Sequence, residues 1–367
     1  MSNVLNYYEY LHTIPERAFE EVKTAAFLAE KLQSFGYKVE TGVGGKTGLV
    51  GLWDTGVEGP VVALRADMDA LGHIIDGKAC ALHTCGHDAH SSVVLAAAEM
   101  LKEQNLVKSG KLKIIFQPAE EVGLGAKSII AGGAIDDVDY IFGSHLRPIE
   151  EAVDGQASPA IYYSSSSHAT AHIHGKPAHG ARPHLGINAI NAGVAAVTAV
   201  NAIHLKPTDV YSVKATRFLC DAGVLNAIPA EATVVWDLRS QANETMEELK
   251  EKVRMAITAG VATVGATVDL DMTEGLPAAE YSDEAIAIVQ KSIVSVLGEE
   301  GLLDPIVTPG GEDFFYYVKH NPNIKAGFFG LGCDLRPGLH HPEMSFNVAS
   351  LEHGVSIFKE IVTDIIG

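Results

Sequence analysis

Three apolar runs, each leading into a polar cluster, constrain this chain more than any other feature. VVALRA (61–66) runs into ADMDAL (66–71), KLKIIFQ (111–117) into QPAEE (117–121), and YIFGSH (140–145) into SHLRP (144–148). Short, unbroken apolar runs are what strands buried on both faces look like. Between them the spacing predicts helices over 88–104 and from 126. Strands alternating with helices give a mostly parallel α/β sheet. Ligands bind such sheets outside the carboxyl ends of the strands, which is where the polar clusters fall.

The flanking segments extend the pattern. Phe19, Val22, Ala26, Ala29, Leu32 and Phe35 form a helical face, and Gly36 is placed to end that helix. The middle of the chain differs. It reads strand (168–174), helix (185–204), two strands (210–219, 231–239), helix (244–259, with Asn243 as its cap) and a strand ending at 272. That βαββαβ order is the ferredoxin-like split pattern. The serine run Ser164–Ser167 at its start is expected to act as a hinge. We therefore expect an α/β domain of residues 1–163 and 274–367, interrupted by an inserted domain, 164–273.

Charge narrows the function classes. Lys and Arg total 27 against 46 Asp and Glu, a formal net charge of −19. Nucleic acid and anionic membranes need clustered basic residues, so neither is an expected partner. Four cysteines are too few for a disulfide framework in 367 residues. The first basic residue is Arg17 and no long apolar stretch occurs, so the expected location is the cytoplasm.

The polar clusters hold thiol, imidazole and carboxylate groups. Cys85 and His87 sit on one turn in CGHDAH (85–90), and Glu121, His145 and His340 could complete a shell. Such donors suit Zn²⁺, Mn²⁺, Co²⁺ or Ni²⁺ better than Ca²⁺ or Mg²⁺. In the Glu120–Glu121 pair, one carboxylate can bind metal while the other stays free as a general base. Cys80, His83 and His90 crowd the same turn and read as structural. The competing reading makes Cys85 a nucleophile activated by His87 or His90.

Read together, the motifs resemble the amidohydrolase/aminoacylase branch of the M20 metallopeptidases. They are HTIPERAFEE (12–21), LRADMDAL (64–71), HTCGHDAHS (83–91), FQPAEE (116–121), FGSHLRP (142–148), GKPAHGARPHLGINAI (175–190), NAIPAEATVVWDLR (226–239), GGEDF (310–314) and GLHHP (338–342). The resemblance implies a dinuclear-metal hydrolase domain with an inserted ferredoxin-like lid, which could also mediate a homodimer. It implies two divalent metal ions held by Cys85, His87, Glu121, His145 and His340. Glu120 would be the general base, and Asp69 would orient a ligand imidazole. His179 would polarise the scissile carbonyl or bind substrate, and Asn226 and Arg239 would take the substrate carboxylate. Glu312 or Asp313 would buttress the site. Where the family usually has one His before Ser or Asn, this chain reads His340-His341-Pro342, and His340 matches the ligand position. The implied reaction is metal-assisted hydrolysis of a small N-acyl amino acid. The alternatives are a dipeptidase or carboxypeptidase acting on short peptides, and a catalytically silent metal-binding protein.

Overall fold

The computed structural model describes residues 2–367, which form two compact units. The first comprises 2–162, 280–307 and 313–367, and the second comprises 163–279 and 308–312.

The first unit is built on a seven-stranded sheet. In spatial order its strands are Lys38–Val43, Gly48–Asp54, Lys111–Gln117, Val61–Asp67, Tyr140–Pro148, Lys325–Leu335 and Ala157–Ser158. The central four run parallel, and the outer strands pair antiparallel. Every residue of Val61–Asp67 is buried, as its unbroken apolar run requires. The helices Val4–His12, Val22–Phe35, His87–Glu103, Asp283–Leu297 and Leu351–Ile366 contribute to a core with Leu64, Phe116, Phe142 and Phe329. Gly36 ends Val22–Phe35 in the left-handed conformation, as the sequence implies. The sequence reading omits the hairpin Leu71–Ile75/Lys78–Leu82 between the DMD turn and CGHDAH.

The parallel register aligns the clusters. Asp67 pairs with Gln117, and His145 pairs with Gly330 on the next strand. The DMD turn and the Glu120–Glu121 turn thus leave neighbouring strands at the same edge, while His145 lies within Tyr140–Pro148.

The second unit holds a four-stranded antiparallel sheet in the order Tyr211–Leu219, Glu231–Ser240, Ser165–His174, Thr267–Met272. The helices Ala189–Asn201 and Asn243–Ala262 share a core with Trp236 and Leu238 of its strands. Two local readings change. Asn243 is the first helical residue, not the cap, and its amide bonds Ala278. Ser165–Ser167 are not loose chain; they are buried and pair with Leu238–Ser240. Strand pairing outweighs the small size of serine there.

Candidate metal centre

The first unit brings the polar clusters together from five places: the segments after Val61–Asp67, Lys111–Gln117 and Lys325–Leu335, the start of His87–Glu103, and the strand Tyr140–Pro148. Strand Val61–Asp67 delivers Asp69, and the turn after Lys111–Gln117 delivers Glu120 and Glu121. His87 opens the helix His87–Glu103, one residue after Gly86. Gly86 has φ +85°, and a Cβ there would press on the Leu146 side chain at 3.0 Å. Only glycine turns the chain this sharply between Cys85 and His87 without a steric penalty.

Five donors converge. Cys85 Sγ lies 3.4 Å from His145 Nε2 and 3.3 Å from His340 Nε2. Glu121 Oε1 lies 3.7 Å from His87 Nε2 and 3.7 Å from His340 Nε2. Among the described residues five groups of three have donor atoms within 4.8 Å of one another, and two of them, Cys85–His87–His145 and Cys85–Glu121–His340, are made only of the five expected ligands. They share Cys85. Donors around one tetrahedral ion with bonds of about 2.0–2.3 Å sit roughly 3.3–3.7 Å apart, so the spacing fits ligation. Among the described residues, neither His87 Nε2 nor Glu121 Oε1 has a hydrogen-bond partner. Buried polar atoms seldom stay unpaired, so a cation fits between them.

The surrounding hydrogen bonds orient these donors. His145 Nδ1 donates to the Leu146 carbonyl at 2.7 Å, which leaves Nε2 as the lone-pair atom. Burial holds its imidazole well below the ordinary pKa, in the neutral form that ligates. Asp69 has three donors: His87 Nδ1 at 3.2 Å, Glu120 N at 3.1 Å and Glu121 N at 3.1 Å. Its carboxylate thus bonds both the His87 ring and the Glu120–Glu121 backbone. The motif gives no sign of the second task.

His90 is not a donor to spare, since its Nδ1 bonds Asp67 and its Nε2 accepts from Leu146 N. Arg65 is fully buried and binds Asp67, Asp313 and Gln117, each at 2.8 Å. Asp313 also accepts from Ala126 N at 2.9 Å, so it buttresses the sheet edge beneath the turn. The Arg65–Asp313 pair spans 248 residues, and no local spacing reveals it.

Burial pushes the Cys85 thiol well up, and neighbouring Glu121 pushes it further. A cysteine nucleophile needs a lowered pKa, so Cys85 is poorly placed to attack by itself. A cation would offset the negative charge that the thiolate and Glu121 concentrate here.

The ambiguous histidine pair separates by geometry. His340 holds φ +65° with its N–H on the Thr84 carbonyl at 2.6 Å, and its ring reaches Cys85. His341 turns its Nδ1 to Glu343 N at 3.1 Å. His340→Ala is therefore expected to lose bound metal, while His341→Ala keeps it. Elemental analysis of dialysed proteins checks this, and the reverse pattern would exchange the two roles.

The remaining candidates lie in the second unit. His179 pairs with Ala227 in a short ribbon, and Gly180 N donates to the Asn226 carbonyl at 2.7 Å. His179 and Asn226 are thus neighbours, both exposed. Arg239 stands apart on Glu231–Ser240, with its guanidinium engaged by Asp237 at 3.1–3.2 Å.

Known proteins resemble this chain over nearly its whole length. The profile of peptidase family M20/M25/M40 matches residues 63–364. IAA-amino acid hydrolase ILR1-like 5 of Arabidopsis thaliana is 30% identical, over 96% of this chain and 84% of that protein. N-acetyl-L-cysteine deacetylase of Bacillus subtilis is 30% identical, over 93% and 83%. Thermostable carboxypeptidase 1 of Saccharolobus solfataricus is 30% identical, over 88% and 84%. A crystal structure from methicillin-resistant Staphylococcus aureus superposes with a TM-score of 0.90 at 29% identity, covering 100% of this chain and 96% of that one. The Bacillus subtilis YXEP protein, described as a dinuclear metal binding peptidase, shares the fold at TM-score 0.82 and 24% identity, covering 99% and 98%.

Proposed function

The chain belongs to peptidase family M20/M25/M40, a family of hydrolases acting on amide bonds, and we propose that it removes the acyl group from small N-acyl amino acids. The observation that carries the reading is the convergence of Cys85, His87, Glu121, His145 and His340, with Glu120 beside them. We assign these five as ligands of two divalent ions (Zn²⁺, Mn²⁺, Co²⁺ or Ni²⁺). Bound there, such ions would polarise an acyl carbonyl and make water more acidic.

The chain's own residues do the rest. Glu120 lies one residue from ligand Glu121, and its amide is held by Asp69. It takes a proton from the attacking water and returns it to the departing amine. Asp69 keeps the His87 ring and the Glu120–Glu121 backbone in place. His179 as the group that polarises the acyl oxygen, and Asn226 and Arg239 as carboxylate-binding residues, rest on the resemblance alone. The substrate class follows the aminoacylase relatives. The carboxypeptidase relative keeps short peptides as the second reading.

A homodimer through the second unit is part of the proposal. Its edge strand Tyr211–Leu219 exposes Phe218 and Leu219, and the loop beyond exposes Leu225. Among the described residues no helix is long and apolar enough to cross a membrane. A reducing cytoplasm suits a site that needs Cys85 as a free thiol.

The deciding experiment offers N-acyl amino acids and dipeptides to protein loaded with each of the four metals. Hydrolysis of at least one N-acyl amino acid, lost on chelation and restored by metal, is expected. Faster turnover of dipeptides would move the function to the peptidase reading. Activity that resists chelation but yields to thiol alkylation would move it to a Cys85 nucleophile.

A further inference from the structure

The HTIPERAFEE segment has no role in the chemistry above, yet it touches three site-bearing loops. His12 Nδ1 bonds Asp88 Oδ2 at 2.6 Å, and Asp88 follows His87. The Glu16 carbonyl accepts from Ala70 N at 2.7 Å, and Ala70 follows Asp69. Glu21 Oε1 accepts from Ala119 N at 2.9 Å, and Ala119 precedes Glu120. Each contact lands one residue from a candidate site residue. We infer that Glu21 is a positioning residue for the Glu120–Glu121 turn, and that the segment 12–21 clasps the loops around the metal centre.

Glu21 is the strongest part of the clasp. Its carboxylate is fully buried and takes three donors: Phe19 N at 2.9 Å, Ala119 N at 2.9 Å and Thr47 Oγ1. Phe19 and Ala119 both hold left-handed backbone, at φ 62° and 53°. That conformation is unfavourable for residues with a side chain and persists only where the surroundings enforce it. One carboxylate oxygen holds both amides. The Ala119, Glu120 and Glu121 amides therefore all point at carboxylates, the first at Glu21 and the next two at Asp69. Beneath the turn, a Cβ on Gly125 would come within 1.7 Å of the Pro118 carbonyl, so only glycine lets the chain pass this close to the turn.

The bland reading makes Glu21 a helix cap, since it precedes Val22–Phe35. Its side chain makes no capping bond to that helix. Glu16 does that work, accepting from Lys23 N at 2.9 Å and Thr24 N at 3.0 Å. The Glu21 carboxylate faces the catalytic turn instead.

The inference rests on the proposed function, and its test separates the two. Metal-free wild type, Glu21→Ala and Glu21→Gln are titrated with Co²⁺ alone and followed by visible absorption, and kcat and KM are measured on the best N-acyl amino acid. Wild type is expected to bind two ions. Glu21→Ala is expected to bind one of them at least tenfold more weakly, because Glu121 rides on the same turn. Its kcat is expected to fall ~10²-fold, the scale of a misplaced catalytic group, with KM little changed. Glu21→Gln keeps an oxygen for both amides and is expected to restore most of both properties. In a Glu120→Gln background with Co²⁺ at saturating concentration, so that both ions are bound, Glu21→Ala is expected to slow the residual rate no further.

Cobalt binding and kcat in Glu21→Ala equal to wild type would overturn the inference, as would a full loss persisting in the Glu120→Gln background. If Glu21→Ala does not fold, Thr47→Val tests the same carboxylate. A several-fold lower kcat at constant KM supports the clasp, and an unchanged kcat overturns it. Wild type that binds two Co²⁺ but cleaves no N-acyl amino acid refutes the substrate reading, and the cobalt titrations still judge Glu21. Wild type that binds no Co²⁺ refutes both.

Discussion

Glu120→Gln is expected to bind metal as the parent protein does and to turn over N-acyl amino acids ~10²–10⁴-fold more slowly, the usual cost of losing a general base. The substitution keeps the size and planarity of the side chain. The backbone of the turn is held through the amides of residues 119–121, by Glu21 and Asp69, and none of these bonds uses the Glu120 side chain. What changes is that an amide cannot accept the proton of the attacking water at neutral pH. The five assigned ligands are untouched, so stoichiometry by elemental analysis should match wild type while kcat collapses. A Glu120→Gln protein with wild-type kcat would remove Glu120 from the mechanism and direct attention to another carboxylate.

The expected loss exceeds what any single packing change on this edge would give, because it deletes a chemical step and leaves the geometry intact. For the same reason it separates the general base from its supports. Asp69 and Glu21 act through Glu120 and Glu121, so changing them should alter metal binding as well as rate.

How far the sequence discloses this molecule depends on the range of each interaction. The strand Val61–Asp67 is legible because burial on both faces forces an unbroken apolar run. Gly36 is legible because a left-handed helix end favours glycine. The polar clusters are legible because a parallel sheet gathers the carboxyl ends of its strands at one edge. Contacts that depend on the fold are hidden. Glu21 reaches Ala119 across 98 residues and His12 reaches Asp88 across 76. No periodicity encodes such distances, so the motif containing both looks like an ordinary amphipathic helix start. The antiparallel pairing of the outer strands and the hairpin before CGHDAH were equally silent, since neither changes the local apolar pattern.

Asn243 shows a related limit. Asparagine before a helical pattern signals a cap, but its amide serves better on the Ala278 backbone, and the helix starts one residue earlier than that signal allows. A long-range partner overrides a local preference.

Cys85→Ser is expected to lose more metal than His145→Ala, because Cys85 belongs to both groups of donors and His145 to one. With His145 removed, Cys85, Glu121 and His340 still surround one position, and dialysed protein should keep about one ion. With Cys85 replaced, each group falls to two protein donors. A serine hydroxyl is neutral at working pH and a far poorer ligand than thiolate for borderline metals. Charge works in the same direction. Burial and Glu121 raise the Cys85 thiol pKa in the bare protein, so a bound cation would favour the thiolate, and each would stabilise the other. Serine breaks that coupling. Stoichiometry well below one ion per chain is therefore expected for Cys85→Ser, with activity lost in proportion, and about one ion for His145→Ala. Equal losses in the two variants would mean that Cys85 serves a single ion. Full metal in Cys85→Ser with activity abolished would return the thiol to the role of nucleophile, which its burial argues against.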